Sequence, residues 1–368
     1  MLRPVVKVGS RTIGDGHPFF VIAEASSNHN RDMKTALGLV DAAAAAGADA
    51  VKFQAFTADK IVARMREKHP YIQQMFPQAG SMHEVYASME LPRAWLKDLK
   101  AYSEERGLIF LCTPFDEEAV DLLESLGVSA YKIASYELWH LPLIRHAAST
   151  GKPLLISTGM GNLGDVEDAL EAVESTGNPE AALFHCAINY PPPFHELNLR
   201  AIHTMKQAFG VPVGYSDHST GITAAIATVA LGGNLFEKHF TLGRNLPGPD
   251  HPFSIEPDEL AALMRGVREC EQALGSPIKR MLDSERASYL MGRRSIFAAV
   301  DIPRGTRITR EMLAVLRPGT GLKPKHLDDV IGRLAAVDLR AHDPVTWNKL
   351  SSDADSDAPA PAGPRGRR

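Results

Sequence analysis

Two lysines and two histidines carry the chemistry that this 368-residue sequence offers most openly. Lys52 and Lys132 lie within short apolar runs, "ADAVKFQAF" and "AYKIASYE". A lysine in such a run is costly unless it meets an anion. Thr113, Ser135, Ser157 and Ser216 sit in comparable positions of other runs. Cations and hydroxyls together suit a doubly charged phosphate and a carboxylate, the plainer alternative being salt bridging and strand-end capping. His218 and His239 each end an apolar run with a carboxylate nearby. Imidazoles on adjacent strands can converge on one divalent cation and leave positions open for water and substrate. The alternative is two satisfied histidines in a polar mouth, and His29, His185 and His251 compete as ligands.

These side chains need a frame that gathers them. Strand-like runs cover 19–26, 48–56, 108–115, 130–137, 152–159, 181–190, 211–218 and 234–242, with amphipathic helical patterns between them. Strand alternating with helix predicts parallel βαβ units. Eight such units in about 250 residues predict a closed (β/α)₈ barrel. A doubly wound open sheet is the runner-up, but no G-x-G-x-x-G follows the first strand. In a barrel the active site lies at the C-terminal strand ends. Polar residues recur there: Glu24, Lys52 and Gln54, Thr113, Lys132 with Ser135 and Glu137, Ser157 and Thr158, His185 with Asn189 and Tyr190, Ser216 with Asp217 and His218, and Glu237 with Lys238 and His239. Asp250 follows in the next loop. Strand alternation puts Lys52 and Gln54 on one face, and Ser135 and Glu137 on the face opposite Lys132 and Ala134, but near a strand end the pleat is expected to break down so that both sets can face the mouth.

The organisation expected is a barrel over 1–275 with an N-terminal hairpin at 1–16, and a linker at 276–293. A small β-rich domain over 294–350 and a disordered tail at 351–368 follow. Residues 57–92 form an insertion expected at the barrel mouth. Hydrophobic residues make up 44% and charged residues 23%, enough for a large core. A net charge of −4 gives no argument for a nucleic-acid or membrane surface. Three scattered cysteines form neither a disulfide framework nor a zinc knuckle. That cysteine usage fits a reducing cytoplasm, and the N-terminus lacks a signal-peptide pattern.

The motifs "AEASSNHN", "VKFQAF", "CTPF", "YKIASYE", "ISTGM", "HCAINYPPP", "GYSDHS", "EKHFTL" and "PGPDH", in order across 15–255, resemble the sialic acid synthase family. That family includes the pseudaminic, legionaminic and spore-coat polysaccharide synthases. The C-terminal segment resembles the antifreeze-like SAF domain that ends these enzymes. The resemblance implies a metal-dependent transferase that condenses phosphoenolpyruvate (PEP) with an open-chain N-acetylated hexosamine. The product is a nine-carbon 3-deoxy-2-keto acid, released with phosphate. It assigns PEP binding to Lys52, Thr113, Lys132, Ser135, Ser157 and Ser216. Sugar contacts go to Gln54, Tyr190 and Arg317, and proton transfer or hydroxyl binding to Glu24, Glu137 and Asp250. His218 and His239 match the ligands of Mn²⁺ or Mg²⁺. Arg317 matches an arginine that reaches a partner's barrel, which implies a domain-swapped homodimer.

Two departures stand out. Ile188 occupies a position where the sialic acid branch carries asparagine, with Asn189 following. Tyr136 stands where that branch carries glycine, which fits the pseudaminic and spore-coat branches better and leaves a 6-deoxy diacetamido sugar as an acceptor. The competing functions are a pyruvate-using metal aldolase and a non-catalytic saccharide-binding or coat protein.

Overall fold

The computed structural model describes residues 1–64 and 80–351. Residues 65–79 of the mouth insertion and the tail from 352 onward lie outside the described residues. The chain divides into two units, Met1–Gly275 and Ser276–Arg368.

The first unit opens with an antiparallel hairpin, β1 (Val5–Val8) and β2 (Arg11–Gly14). Eight parallel strands follow: β3 (Phe20–Glu24), β4 (Ala50–Ala55), β5 (Ile109–Pro114), β6 (Tyr131–Ile133), β7 (Leu154–Ser157), β8 (Ala181–Cys186), β9 (Val213–Asp217) and β10 (Leu235–His239). Their order in the sheet is β5-β4-β3-β10-β9-β8-β7-β6, and β5 and β6 meet to close the curl. Each of the eight expected runs contains one of these strands, so the barrel reading holds.

The helices form for local reasons. Met33–Ala46 begins at Asp32, whose carboxylate accepts from the Thr35 N–H, and ends at Gly47 with φ 81°. These are a start and a stop signal of the ordinary kind, a capping acid and a left-handed glycine. Its buried residues Ala36, Leu39, Val40 and Ala43 repeat at helical spacing and pack against the outer face of the strands.

The barrel interior is layered. Ile22, Ala50, Leu111, Ala130, Leu155, Ala182, Phe184 and Leu235 form an apolar cluster with Val6, Val8 and Ile13 of the hairpin. The hairpin thus supplies apolar side chains to the barrel's inner core. Two residues further along several of these strands stand Glu24, Lys52, Thr113, Lys132, Ser157 and Glu237. The two-residue pleat therefore carries each strand from an apolar layer to a polar one on the same face. Gly214 marks the tightest approach: a Cβ there would lie 1.8 Å from the Leu235 carbonyl oxygen of β10.

The second unit has its own core, with Ile296, Ile302, Ile308, Leu313, Val330, Leu339 and Val345 buried. Strand β11 (Ser295–Ala298) pairs antiparallel with β12 (Leu313–Leu316), and β13 (Leu334–Ala335) with β14 (Leu350–Ser351). The last strand therefore includes Ser351. No helix among the described residues is long and apolar enough to cross a membrane.

Candidate active site

Above the polar layer opens a cavity with about 250 Å³ accessible to water centres. One ordered water needs only about 10–15 Å³ on such a measure, so the space suits a multi-atom ligand. Glu24, Lys52, Gln54, Thr113, Lys132, Ser135, Ser157, Tyr190, Ser216, His218, His239 and Asp250 all line it.

The floor is a chain of alternating charges. Lys52 Nζ lies 3.2 Å from Glu24 Oε2 and 3.5 Å from Glu237 Oε2, and Lys132 Nζ lies 3.6 Å from Glu237 Oε1. Lys52 also donates to Thr113 Oγ1 at 3.1 Å, and Lys132 to Ser157 Oγ at 2.6 Å. Ser216 Oγ donates to Glu237 Oε1 at 3.0 Å. Lys52 and Lys132 are 4% and 2% exposed, so neither charge is answered by bulk water. Burial pulls the Lys52 amine down, but the Glu237 and Glu24 carboxylates outweigh it and hold it above its usual range. For Lys132 burial wins, against the pull of Glu237, and its pKa drops to about 8. Burial resists the charge on Glu237, yet Lys132 and Lys52 keep it ionised. Burial raises Glu24 despite Lys52.

The histidines sit on one side of this floor. Their ring centroids are 5.1 Å apart, and the Tyr190 ring lies 4.1 Å from that of His218. His218 Nδ1–H donates to the Ala187 carbonyl at 2.8 Å, which leaves the lone pair on Nε2. Burial, with His239 beside it, drives the His218 pKa to about 3 and keeps the ring neutral. His239 Nδ1 is buried without a hydrogen-bond partner, 3.7 Å from Asp250 Oδ2. Burial opposes the Asp250 charge, but His239 and the Ser26 and Ser27 hydroxyls prevail and hold it at about 2. The neutral His218 imidazole with its fixed tautomer and the buried orphan nitrogen of His239 suit two ligands of a divalent cation, with the Asp250 carboxylate beside them as an outer partner. The charge count points the same way. Two lysines face two carboxylates held ionised, Glu237 and Asp250, so a multiply charged anionic ligand needs a further positive charge. No three His, Cys, Asp or Glu side chains among the described residues are arranged to hold a metal by themselves.

The rival histidines stand elsewhere. His29 Nδ1 accepts from the Arg31 N–H, His185 Nε2 meets the Leu197 carbonyl at 2.8 Å, and His251 Nδ1 meets Thr241 Oγ1 at 2.6 Å. None of the three lines the cavity.

Glu137 does not line it either. β6 ends at Ile133, and Ser135–Glu137 is a 3₁₀ turn, so the pleat breaks down there as expected, but only Ser135 reaches the mouth. The turn sends Ser135 to the cavity, where its Oγ accepts from the Gly159 N–H at 3.0 Å. The Glu137 carboxylate faces His140 Nδ1 at 3.1 Å instead, and burial raises its pKa. Arg317 is exposed just after β12 in the second unit. Gln54 Nε2 donates to Glu24 Oε1 at 2.7 Å and to Ser26 Oγ at 3.1 Å, and Ser26 donates to Asp250.

Several lining residues were absent from the sequence assignment. Glu237 joins the two lysines. Cys186 lies on the wall, its thiol pushed up to about 11 by burial. Phe56, Met82, Val85, Met89 and Phe253 add an apolar side. For Glu237 the signal was present, since it shares a strand face with His239. Met82, Val85 and Met89 stand on a helix (Met82–Met89) of the insertion expected at the mouth, though no pattern singles out these three residues as lining.

The NeuB family model matches residues 39–279, and the SAF domain model residues 293–351. An N,N'-diacetyllegionaminic acid synthase of Legionella pneumophila is 38% identical, over 94% of this chain and 98% of its own. The spore coat polysaccharide biosynthesis protein of Bacillus subtilis is also 38% identical, and its crystal structure matches with a TM-score of 0.64 over 94% of this chain and 99% of that one. The N-acetylneuraminic acid synthetase of Leptospira borgpetersenii, solved with citrate, matches with a TM-score of 0.69 at 32% identity, over 78% of this chain and 95% of that one. With its barrel matched in sequence and in shape, and a SAF domain behind it, the chain belongs to the NeuB family of nonulosonic acid synthases.

Proposed function

We propose that this protein condenses PEP with the aldehyde of an open-chain N-acetylated hexosamine, releasing phosphate. The observation that carries the reading is the pair of buried lysines with hydroxyl partners on the cavity floor, beside the facing imidazoles of His218 and His239.

The overall balance is simple. PEP C3 forms a bond to the aldehyde carbon, the oxygen of one water adds to C2, and the C2–O bond to phosphate breaks. One water proton ends on the new hydroxyl and the other on phosphate. The residues divide the work by charge. Lys52 and Lys132, with Thr113, Ser135, Ser157 and Ser216, hold the phosphate and carboxylate of PEP. A divalent cation, Mn²⁺ or Mg²⁺, held by His218 and His239 would polarise the aldehyde as a Lewis acid. Glu24, whose pKa is raised by burial, is suited to deliver a proton to the aldehyde oxygen. Asp250, held ionised, is suited to accept one from water. Gln54 and Tyr190 line the side left for the sugar.

Arg317 as a sugar contact, and the homodimer it implies, rest on the family resemblance. Light scattering on the purified chain reads the oligomer directly. The test of the reaction is phosphate release from PEP with a panel of N-acetylated hexosamines and fresh Mn²⁺. Release that requires both substrates supports the reading. Product formation from pyruvate, without phosphate, would favour an aldolase instead.

A further inference from the structure

One buried ion pair lies just outside the cavity and has no part in the chemistry above. Lys238 of β10 and Asp217 of β9 stand opposite each other in the parallel register. Lys238 Nζ donates to Asp217 Oδ2 at 2.6 Å and to the Ser219 carbonyl oxygen. Asp217 Oδ1 accepts from the Ser219 N–H at 2.8 Å. Both side chains are almost fully buried, at 1% for Lys238 and 0% for Asp217. Neither lines the cavity. Strand alternation explains why. Ser216 and His218, and Glu237 and His239, take the cavity face, so Asp217 and Lys238 take the other.

A buried ion pair is a poor source of stability, since desolvation offsets most of the attraction. Its position suggests another use. Asp217 and Ser219 flank His218 on both sides in the chain, and Lys238 is the neighbour of His239. One ammonium therefore ties the backbone before His218 to the backbone after it, and both to the strand that bears His239. The Ala187 carbonyl then fixes the His218 ring itself.

We infer that Lys238, Asp217 and Ser219 form a brace that sets the spacing of His218 and His239 for cation binding. They are positioning residues, acting through the two imidazoles. The inference rests on assigning the cation to that histidine pair.

The test is Mn²⁺ titration of the metal-stripped full-length protein, with PEP affinity measured in parallel. Single changes such as Asp217→Asn or Lys238→Met strand a buried group and are apt to unfold the barrel. Two paired replacements avoid this: Asp217→Leu with Lys238→Met, and Asp217→Asn with Lys238→Gln. Apolar exchange of a buried ion pair is commonly neutral or stabilising. The expected result is a cooperative thermal melt, PEP affinity close to that of the parent, and Mn²⁺ affinity lowered about 10-fold or more, the lower end of what loss of a directly bonded outer partner does, because the brace acts on the rings through the backbone. Parental Mn²⁺ affinity in either folded double replacement overturns the brace while leaving the histidine assignment intact. Absence of Mn²⁺ uptake by the parent protein overturns the histidine assignment, and the brace with it.

Discussion

The imidazoles of His218 and His239 meet with centroids 5.1 Å apart and planes at 64°, brought together because β9 and β10 are neighbours in the barrel. If this pair holds the cation, His239→Ala removes one of two protein ligands. Mn²⁺ affinity should then fall by more than the roughly 10–100-fold that an outer partner is worth. Turnover should be lost and the barrel should stay folded. Circular dichroism beside Mn²⁺ titration checks this, and full activity in metal-stripped His239→Ala protein would refute the ligand role.

Lys132 makes a pH prediction. Its pKa is depressed to about 8 by burial, so it is charged below that pH and neutral above it. An anion wants the charged form. PEP affinity of the free enzyme should therefore be full below about pH 8 and fall as pH rises through it, approaching tenfold per unit. Lys52, raised by its two carboxylates, should not contribute to this limb. Lys132→Arg should shift the limb beyond the measurable range, because guanidinium stays protonated. A kcat/KM profile in PEP that remains flat to pH 10 in the parent protein would contradict the assignment.

Asp250 and PEP binding should separate. Asp250→Asn keeps the shape and removes the charge that His239 and two serine hydroxyls stabilise. A lost proton acceptor costs typically 10²–10⁴-fold in rate. We expect that loss in kcat with PEP affinity nearly unchanged. A change confined to PEP affinity would place Asp250 in the wrong part of the site.

Gly214 tests the barrel rather than the chemistry. A methyl group there meets the Leu235 carbonyl oxygen, backbone rather than a flexible tip. Overpacking in a core costs about 1–3 kcal/mol, and a rigid obstacle places this change at the upper end or beyond. Gly214→Ala should lower the thermal midpoint by several degrees or prevent folding. A melt identical to the parent would show that β9 and β10 can separate freely.

Much of this site is legible in the sequence alone. Short apolar runs bounded by turns gave all eight barrel strands, because a buried parallel strand leaves so plain a pattern. Residues at the ends of those runs formed the cavity, because barrel geometry gathers strand ends. What failed was finer. Glu237 has no assigned role in the sequence reading, although placing His239 at the mouth fixes the phase of "FEKHF" and turns Glu237 inward with it. Glu137 was misplaced because the strand stops at Ile133 and turns, and "KIASYE" carries no glycine or proline to announce it. The wall made by Met82, Val85 and Met89 comes from a helix of the insertion, and a distant contact leaves no local pattern. The Asp217–Lys238 pair was visible as two charges in strands, but its purpose emerged only with the register.

The decisive assay is inorganic phosphate measured with PEP, an N-acetylated hexosamine and Mn²⁺, singly and together, with product mass in parallel. Phosphate should form only when both substrates are present, at one equivalent per nine-carbon keto acid, and should be lost on adding EDTA. Phosphate released from PEP alone, or the same keto acid formed from pyruvate, would refute the proposed condensation.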